Sequence, residues 1–161
     1  VERIHPVHPP LVAAGAAAVA ALMVLWTVRP GVEITPSSVV SLQVDTACDS
    51  AQTPCRARGD DLEIELRLGP PVRTMESFES QLRSVHGPLG ADAQVAVQFQ
   101  MRDMDMGLNR YRLGVDPDGV WRGRAMLPVC STGRSDWIAQ LDISMDGRRW
   151  RAELPFTVVR P

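Results

Sequence analysis

No lysine occurs anywhere in this sequence, so positive charge rests on arginine, a bias that GC-rich codon usage explains. Nor is there a net field. Seventeen basic side chains against 19 acidic ones leave −2, which gives no general attraction for nucleic acid or another polyanion. Histidine is nearly absent: beyond the first eight residues only His86 remains, in the turn-like "VHGPLG". No serine or cysteine has a recognisable base partner, and no glycine-rich phosphate loop is present. Paired carboxylates such as Asp60 and Asp61 sit in a turn, where solvation accounts for them. Hydrolytic and redox catalysis find no support here, and the expectation is a protein that is not an enzyme.

Long apolar runs are also missing, with one exception. "LVAAGAAAVAALMVLWTV" extends from Leu11 to Val28 without a charge, flanked by Arg3 and Arg29. Eighteen helical residues rise about 27 Å, close to the hydrocarbon thickness of a bilayer. Trp26 beside Arg29 suits an interfacial anchor. A cleaved signal peptide is the rival reading. It wants small residues after the apolar run, where this chain has "LWTVRPG". The spacing therefore predicts a short cytoplasmic tail over 1–10, a transmembrane anchor over 11–28 and a linker over 29–38. Residues 39–161 form the domain that follows. Arg3 and Arg29 tie in the positive-inside count, so charge alone leaves the orientation open.

Cysteine is scarce, and all three lie beyond the anchor. Cys48 and Cys55, in "CDSAQTPC", close a loop rich in turn formers. A crosslink there would contribute about 2.5 kcal/mol on the chain-entropy model. It needs an oxidising compartment, which in a bacterium means the periplasm. Two unpaired thiols in a loop are the alternative. The spacing excludes a redox Cys-x-x-Cys pair, and no zinc quartet is available.

Helical periodicity is scarce beyond the linker, and alternation takes its place. Leu62, Ile64, Leu66 and Leu68 alternate with Glu63, Glu65 and Arg67, the cleanest strand pattern in the chain. Val40 to Val44, Val95 to Met101, Asn109 to Val115 and Val120 to Leu127 read the same way. The last two are split by the turn "DPDG". Trp137 to Met145 and Trp150 to Val158 follow, joined by "DGRR". "TMESFESQLRSV" fits a helix face through Met75, Phe78, Leu82 and Val85, or a strand through Phe78, Ser80 and Leu82. The bracketing Pro70, Pro71 and Gly87 favour the strand. Seven or eight short strands predict an all-β, immunoglobulin-like β-sandwich, and the absence of intervening helices excludes a doubly wound fold.

One stretch stands out against this background. "MRDMDMGLNR" packs Met101, Met104 and Met106 with two aspartates into six positions. Parity makes Met101 a core residue and turns Met104 and Met106 toward the polar set with Gln98 and Gln100. Thioether and thiolate sulfur suit Cu(I), and Met126 or Cys130 could complete the ligand set. Met as a flexible gap filler and a Met-lined docking surface are the competing readings. Burying both apolar sets of the "DPDG" hairpin pairs Val115 with Gly119 or Trp121. Either register places Arg110 and Arg112 across from Arg122 and Arg124, which calls for acidic compensation. Asp103 and Asp105, or an acidic partner, could supply it. Trp121, Trp137 and Trp150 read as core.

At "MDMGLNRYRL" and "GVWRGRAMLPVCSTGRSDW" the chain resembles a group of proteobacterial proteins with one N-terminal anchor and an exported β-domain. Their Met-x-Met-Gly-x-Asn-Arg and Leu-Pro-x-Cys elements are matched by Met104, Met106, Gly107, Asn109, Arg110, Leu127, Pro128 and Cys130. Cys48 and Cys55 fit the same pattern. More distantly the architecture is similar to FixH and YtkA-like domains, which are associated with copper supply to haem–copper respiratory oxidases. The resemblance implies an inner-membrane protein with its N-terminus inside and its domain in the periplasm. It also implies an accessory role in copper handling or oxidase assembly. No histidine accompanies the methionines, as it does in familiar periplasmic copper chaperones. A metal-free module docking to a membrane complex through Arg110, Arg112, Arg122 and Arg124 is the alternative function. A purely structural envelope domain is a third.

Overall fold

The computed structural model describes residues 38–87, 89–102, 104, 107–129 and 133–159. The expected tail, anchor and most of the linker lie outside the described residues. Among those described, no helix is long and apolar enough to cross a membrane.

The domain is all-β, as the alternation predicts. Its strands are β1 (Val39–Ser41), β2 (Gln43–Val44), β3 (Cys55–Arg58), β4 (Glu63–Leu68), β5 (Ser77–His86), β6 (Gln94–Gln100), β7 (Arg110–Val115), β8 (Trp121–Met126), β9 (Asp136–Met145) and β10 (Arg148–Thr157). They form one sheet, in the order β1-β10-β9-β6-β7-β8-β5-β4-β3-β2, nearly closed into a barrel.

Ten strands replace the expected seven or eight for two physical reasons. The run from Val40 to Val44 is broken at Leu42. Before it, β1 pairs in parallel with β10; after it, β2 pairs antiparallel with β3. Leu42 buries its side chain and donates its N–H to the Arg151 carbonyl at 2.7 Å, so one short run joins both edges of the sheet. Secondly, β3 carries its inward face on Cys55 and Ala57, side chains too small to register as a hydrophobic period.

The opposite joint is equally thin. β7 pairs with β8 only at Gly114–Arg122 and Val115–Trp121, one of the two registers that the hairpin pattern allowed. At Gly123 an added Cβ would stand 2.8 Å from the Arg112 carbonyl oxygen and 2.5 Å from Leu113 Cδ2, so only glycine lets the strands approach this closely. Farther along, Tyr111 Oη donates to the Met126 carbonyl at 2.7 Å and spans the two strands where their ladder has ended.

The interior follows parity. Leu62, Ile64, Leu66 and Leu68 are at most 1% exposed, and Trp137, Ala139, Leu141 and Ile143 line the inner face of β9. The ambiguous segment is a strand. Phe78, Ser80 and Leu82 point inward, while Met75 and Val85 are exposed. Phe99 binds the halves together: its ring lies 5.4 Å from Phe78, 5.7 Å from Phe156 and 6.0 Å from Tyr111. The Phe78 and Phe156 contacts are edge-on, and such aromatic pairs add about 1 kcal/mol each beyond area burial. Trp121, Trp137 and Trp150 are all buried, as core residues should be.

Cys48 and Cys55 stand at disulfide distance, with Cα atoms 5.9 Å apart. The loop they close is tied down from two sides. Ser50 donates its N–H to the Pro155 carbonyl at 3.0 Å, and Leu68 donates to the Ser50 carbonyl at 2.8 Å.

Candidate functional site

Met101, Met104 and Met126 fall at one end of the barrel, where β6 runs out. Met101 is 2% exposed and belongs to the core, where parity put it. It forms an isolated antiparallel bridge with Met104, so the chain turns back on itself between them. Met104 is half-buried and packs against the core, rather than projecting freely with the polar set. Both methionines line an open depression of about 510 Å³ with Gln100, Arg102, Ile138 and Glu153. Met126, at the end of β8, is exposed. Met106, Cys130, Asp103 and Asp105 lie outside the described residues. Among the described residues no group of three or more His, Cys, Asp or Glu side chains is placed to hold a metal. Asn109 is buried beside this end, and its amide nitrogen has no hydrogen-bond partner.

Three of the four hairpin arginines are held by different partners. Arg122 bonds Asp116 at 2.6 Å and Asp118 at 2.8 Å, with Glu79 at 3.7 Å. The Arg122 hydrogen bond and the Val120 N–H hold the Asp118 carboxyl down at about 2. Arg124 donates to the Ser77 hydroxyl at 3.3 Å. Arg110 reaches across β6 to Asp142 on β9 at 2.5 Å. Among the described residues the compensating acids are Asp116, Asp118, Glu79 and Asp142. Three of these lie in or beside the hairpin and its neighbour β5. Asp142 is 32 residues from Arg110 and comes to it only through strand order.

Asp142 is the residue that local reading missed. It belongs to a row running outward-facing across the sheet, Arg112–Ala96–Asp142–Arg151, set by the pairings of β7, β6, β9 and β10. Its side chain is 12% exposed, and Arg151 Nε reaches its other oxygen at 2.8 Å. Burial alone would raise its pKa. The hydrogen bonds and charges of Arg110 and Arg151 outweigh that, and the carboxyl titrates below its ordinary value. The one sequence signal is the polar parity of Gln140, Asp142 and Ser144 on β9, which marks a wet face without naming its partners.

Next to the Asp142 clasp lies an open groove of about 340 Å³. Ala96 supplies the low floor, because its methyl sits between the larger Arg112 and Asp142 side chains in the row. Arg112 on β7 and Arg149 on β10 stand on opposite sides, with Gln94 and Ser144 between. Neither arginine forms an ion pair among the described residues, and both are exposed. Donors outnumber acceptors here. The arrangement suits holding anions.

Compared with known proteins, the chain matches no family model, and no curated protein or solved structure is found similar to it.

Proposed function

We propose that this is a binding module, exported and anchored to the inner membrane, that docks to an acidic partner through the outer face of β7, β6, β9 and β10. The observation that carries the reading is the arginine imbalance on that face. Around the groove Arg110, Arg112, Arg149 and Arg151 surround Asp142, and Glu153 is the next acid along the outer face of β10. Like charges gathered on one sheet face are destabilising unless something acidic meets them. In fold terms the proposal keeps the immunoglobulin-like class, with β1-β10-β9-β6-β7 and β8-β5-β4-β3-β2 as its two walls. The test is site-directed photo-crosslinking in intact membranes. A crosslinker at Gln98 on this face should capture a discrete partner, whereas one at Arg67 on the other wall should not. Arg112→Glu should abolish the product. Equal products from both walls would contradict the reading.

The Met-x-Met-Gly-x-Asn-Arg resemblance favours a second function: copper delivery toward respiratory oxidase assembly. It is supported by the Met101–Met104 bridge, which sets one thioether on the wall of an open depression. Met104 and Met106 would be the principal donors to Cu(I), with Met101, Met126 or Cys130 completing the set. Cu(I) titration against a competing chelator tests it. A Met104→Leu, Met106→Leu double variant should lose affinity, and unchanged affinity removes these ligands.

A further inference from the structure

We infer that the groove between Arg112 and Arg149 receives an extended acidic peptide segment of a partner protein, laid across the strands with carboxylates at positions i and i+4. The inference rests on the docking reading above and names the chemistry of its occupant.

The argument begins with what already sits on the face. Arg110 and Arg151 are occupied, because both bond Asp142 at 2.5 and 2.8 Å. Arg112 and Arg149 line the same groove and have no carboxylate among the described residues. Two open guanidinium groups therefore flank a centre whose cations are already engaged by Asp142. A ligand complementary to that pattern is negative at its two ends and uncharged in its middle.

Spacing selects the form of the ligand. From β7 to β10 there are three interstrand steps, about 14 Å, and Arg149, paired with Ser144, stands one same-face step along from the row of Arg112, so the diagonal is about 16 Å. An extended peptide covers about 13 Å in four residues, and its alternate side chains face one way. Residues i and i+4 then reach the flanking arginines through the length of the side chains, while i+2 lies over the middle of the groove, between Asp142 and Ser144, and is neutral. Ser144 and Gln94 offer that middle residue hydrogen-bonding groups. The low Ala96 floor leaves room for a backbone to lie close.

Exposure selects the source. A lone small anion in an open groove gains little, since exposed ion pairs contribute about 0–1 kcal/mol each. Affinity must come from two such contacts made by one connected ligand. A membrane surface is disfavoured, because the groove carries no aromatic side chain to enter the headgroup region.

The test uses the 161-residue chain in a non-ionic detergent micelle, titrated by NMR and calorimetry with short Ser/Thr peptides. One peptide carries glutamates at i and i+4, and a second carries the same two glutamates side by side. Inorganic phosphate and phosphatidylglycerol vesicles are the further probes. The i, i+4 peptide should bind and shift the resonances of Gln94, Ala96 and Ser144. Arg112→Gln and Arg149→Gln should each weaken it about twofold to fivefold, with the double variant multiplying the two. Asp142→Asn should tighten it, by removing the central negative charge. Equal binding of the side-by-side peptide, or saturation by phosphate at the same concentration, overturns the inference. Preference for the vesicles overturns it too. If no peptide binds while crosslinking from Gln98 persists, the groove is not the docking element, although the face remains one. If the crosslink is also absent, the docking reading falls with it.

Discussion

On the outer face of β3 and β4, Arg56 lies directly across from Glu65, and Arg58 across from Glu63. Their nitrogen–oxygen distances are 3.4 and 3.0 Å. On the outer face of β6, β9 and β10, Arg110 and Arg151 converge on one aspartate, and Arg112 and Arg149 face no acid among the described residues. Both walls have the same inward parity, the same arginine in place of lysine and comparable core burial. They differ in how charge is arranged outside. The β3–β4 rungs are neutralised pair by pair, as cross-strand pairing favours, while farther along the same wall Arg67 and Arg83 form no ion pair among the described residues. The second wall differs in crowding: four arginines gather around Asp142, and two of them, Arg112 and Arg149, keep their charge open to solvent. That concentration around one acid carries the functional reading.

The comparison presumes that the walls are held as one body through the β7–β8 joint, and Gly123 tests this with the largest expected effect. In a Gly123→Ala variant the new methyl meets the Arg112 carbonyl oxygen and the Leu113 side chain, both within 3.0 Å. Overpacking of this kind costs about 1–3 kcal/mol. Gly114→Ala, one residue beyond Leu113, has open space around it and should stay within about 0.5 kcal/mol. Urea unfolding of the two variants measures the difference. Equal midpoints would mean that the joint does not couple the walls.

The next effect sharpens the contrast itself. Replacing Asp142 by Asn leaves two partly buried guanidinium groups without their shared carboxylate, at a cost of about 1–2 kcal/mol near neutral pH. The sign in pH follows from the lowered native value of this group. A depressed carboxyl contributes stability that is fully present above its unfolded pKa, near 3.8, and is lost as pH falls through the lower native value. Thermal unfolding should therefore show wild type above Asp142→Asn from neutral pH down to about 4. The two curves should converge at lower pH. A gap independent of pH would mean that Asp142 acts by packing.

The walls were also unequally legible in the sequence. Strand identity came through on both, because alternation is a local property, except at β3, where Cys55 and Ala57 are too small to show a period. Leu62 to Leu68 and Trp137 to Ile143 point inward as their parity requires. The "DPDG" register was narrowed to two choices, and Val115–Trp121 is one of them. Charge compensation within the hairpin or between adjacent strands was within reach, since Arg122 finds Asp116 and Asp118 a few residues away. The Asp142 clasp was not. It depends on β9 entering the sheet beside β6 and on β10 beside β9, a strand order that periodicity does not encode. The same limit hid the closure at Leu42, where a single residue separates two pairing partners. At the sulfur end, parity placed Met101 correctly. The bridge back to Met104, which tucks that side chain against the core, is a local departure from the strand that alternation assumes.

The smallest effect concerns the neutralised wall. Glu65→Gln removes one member of the Arg56–Glu65 rung, but Arg56 is about half exposed and also lies 3.6 Å from Glu63. Water and the second carboxylate take up the freed guanidinium, so the loss should stay within about 0.5 kcal/mol. Added salt should shrink it further, because exposed pairs are screened over about 10 Å at ordinary ionic strength. Asp142→Asn, with its carboxylate mostly out of water, should keep most of its cost in the same salt. Chemical denaturation of both variants in low and high salt measures the ratio. Comparable costs and comparable salt sensitivity would make the two walls electrostatically alike, and the arginines of β7 and β10 would then be ordinary solvated charge.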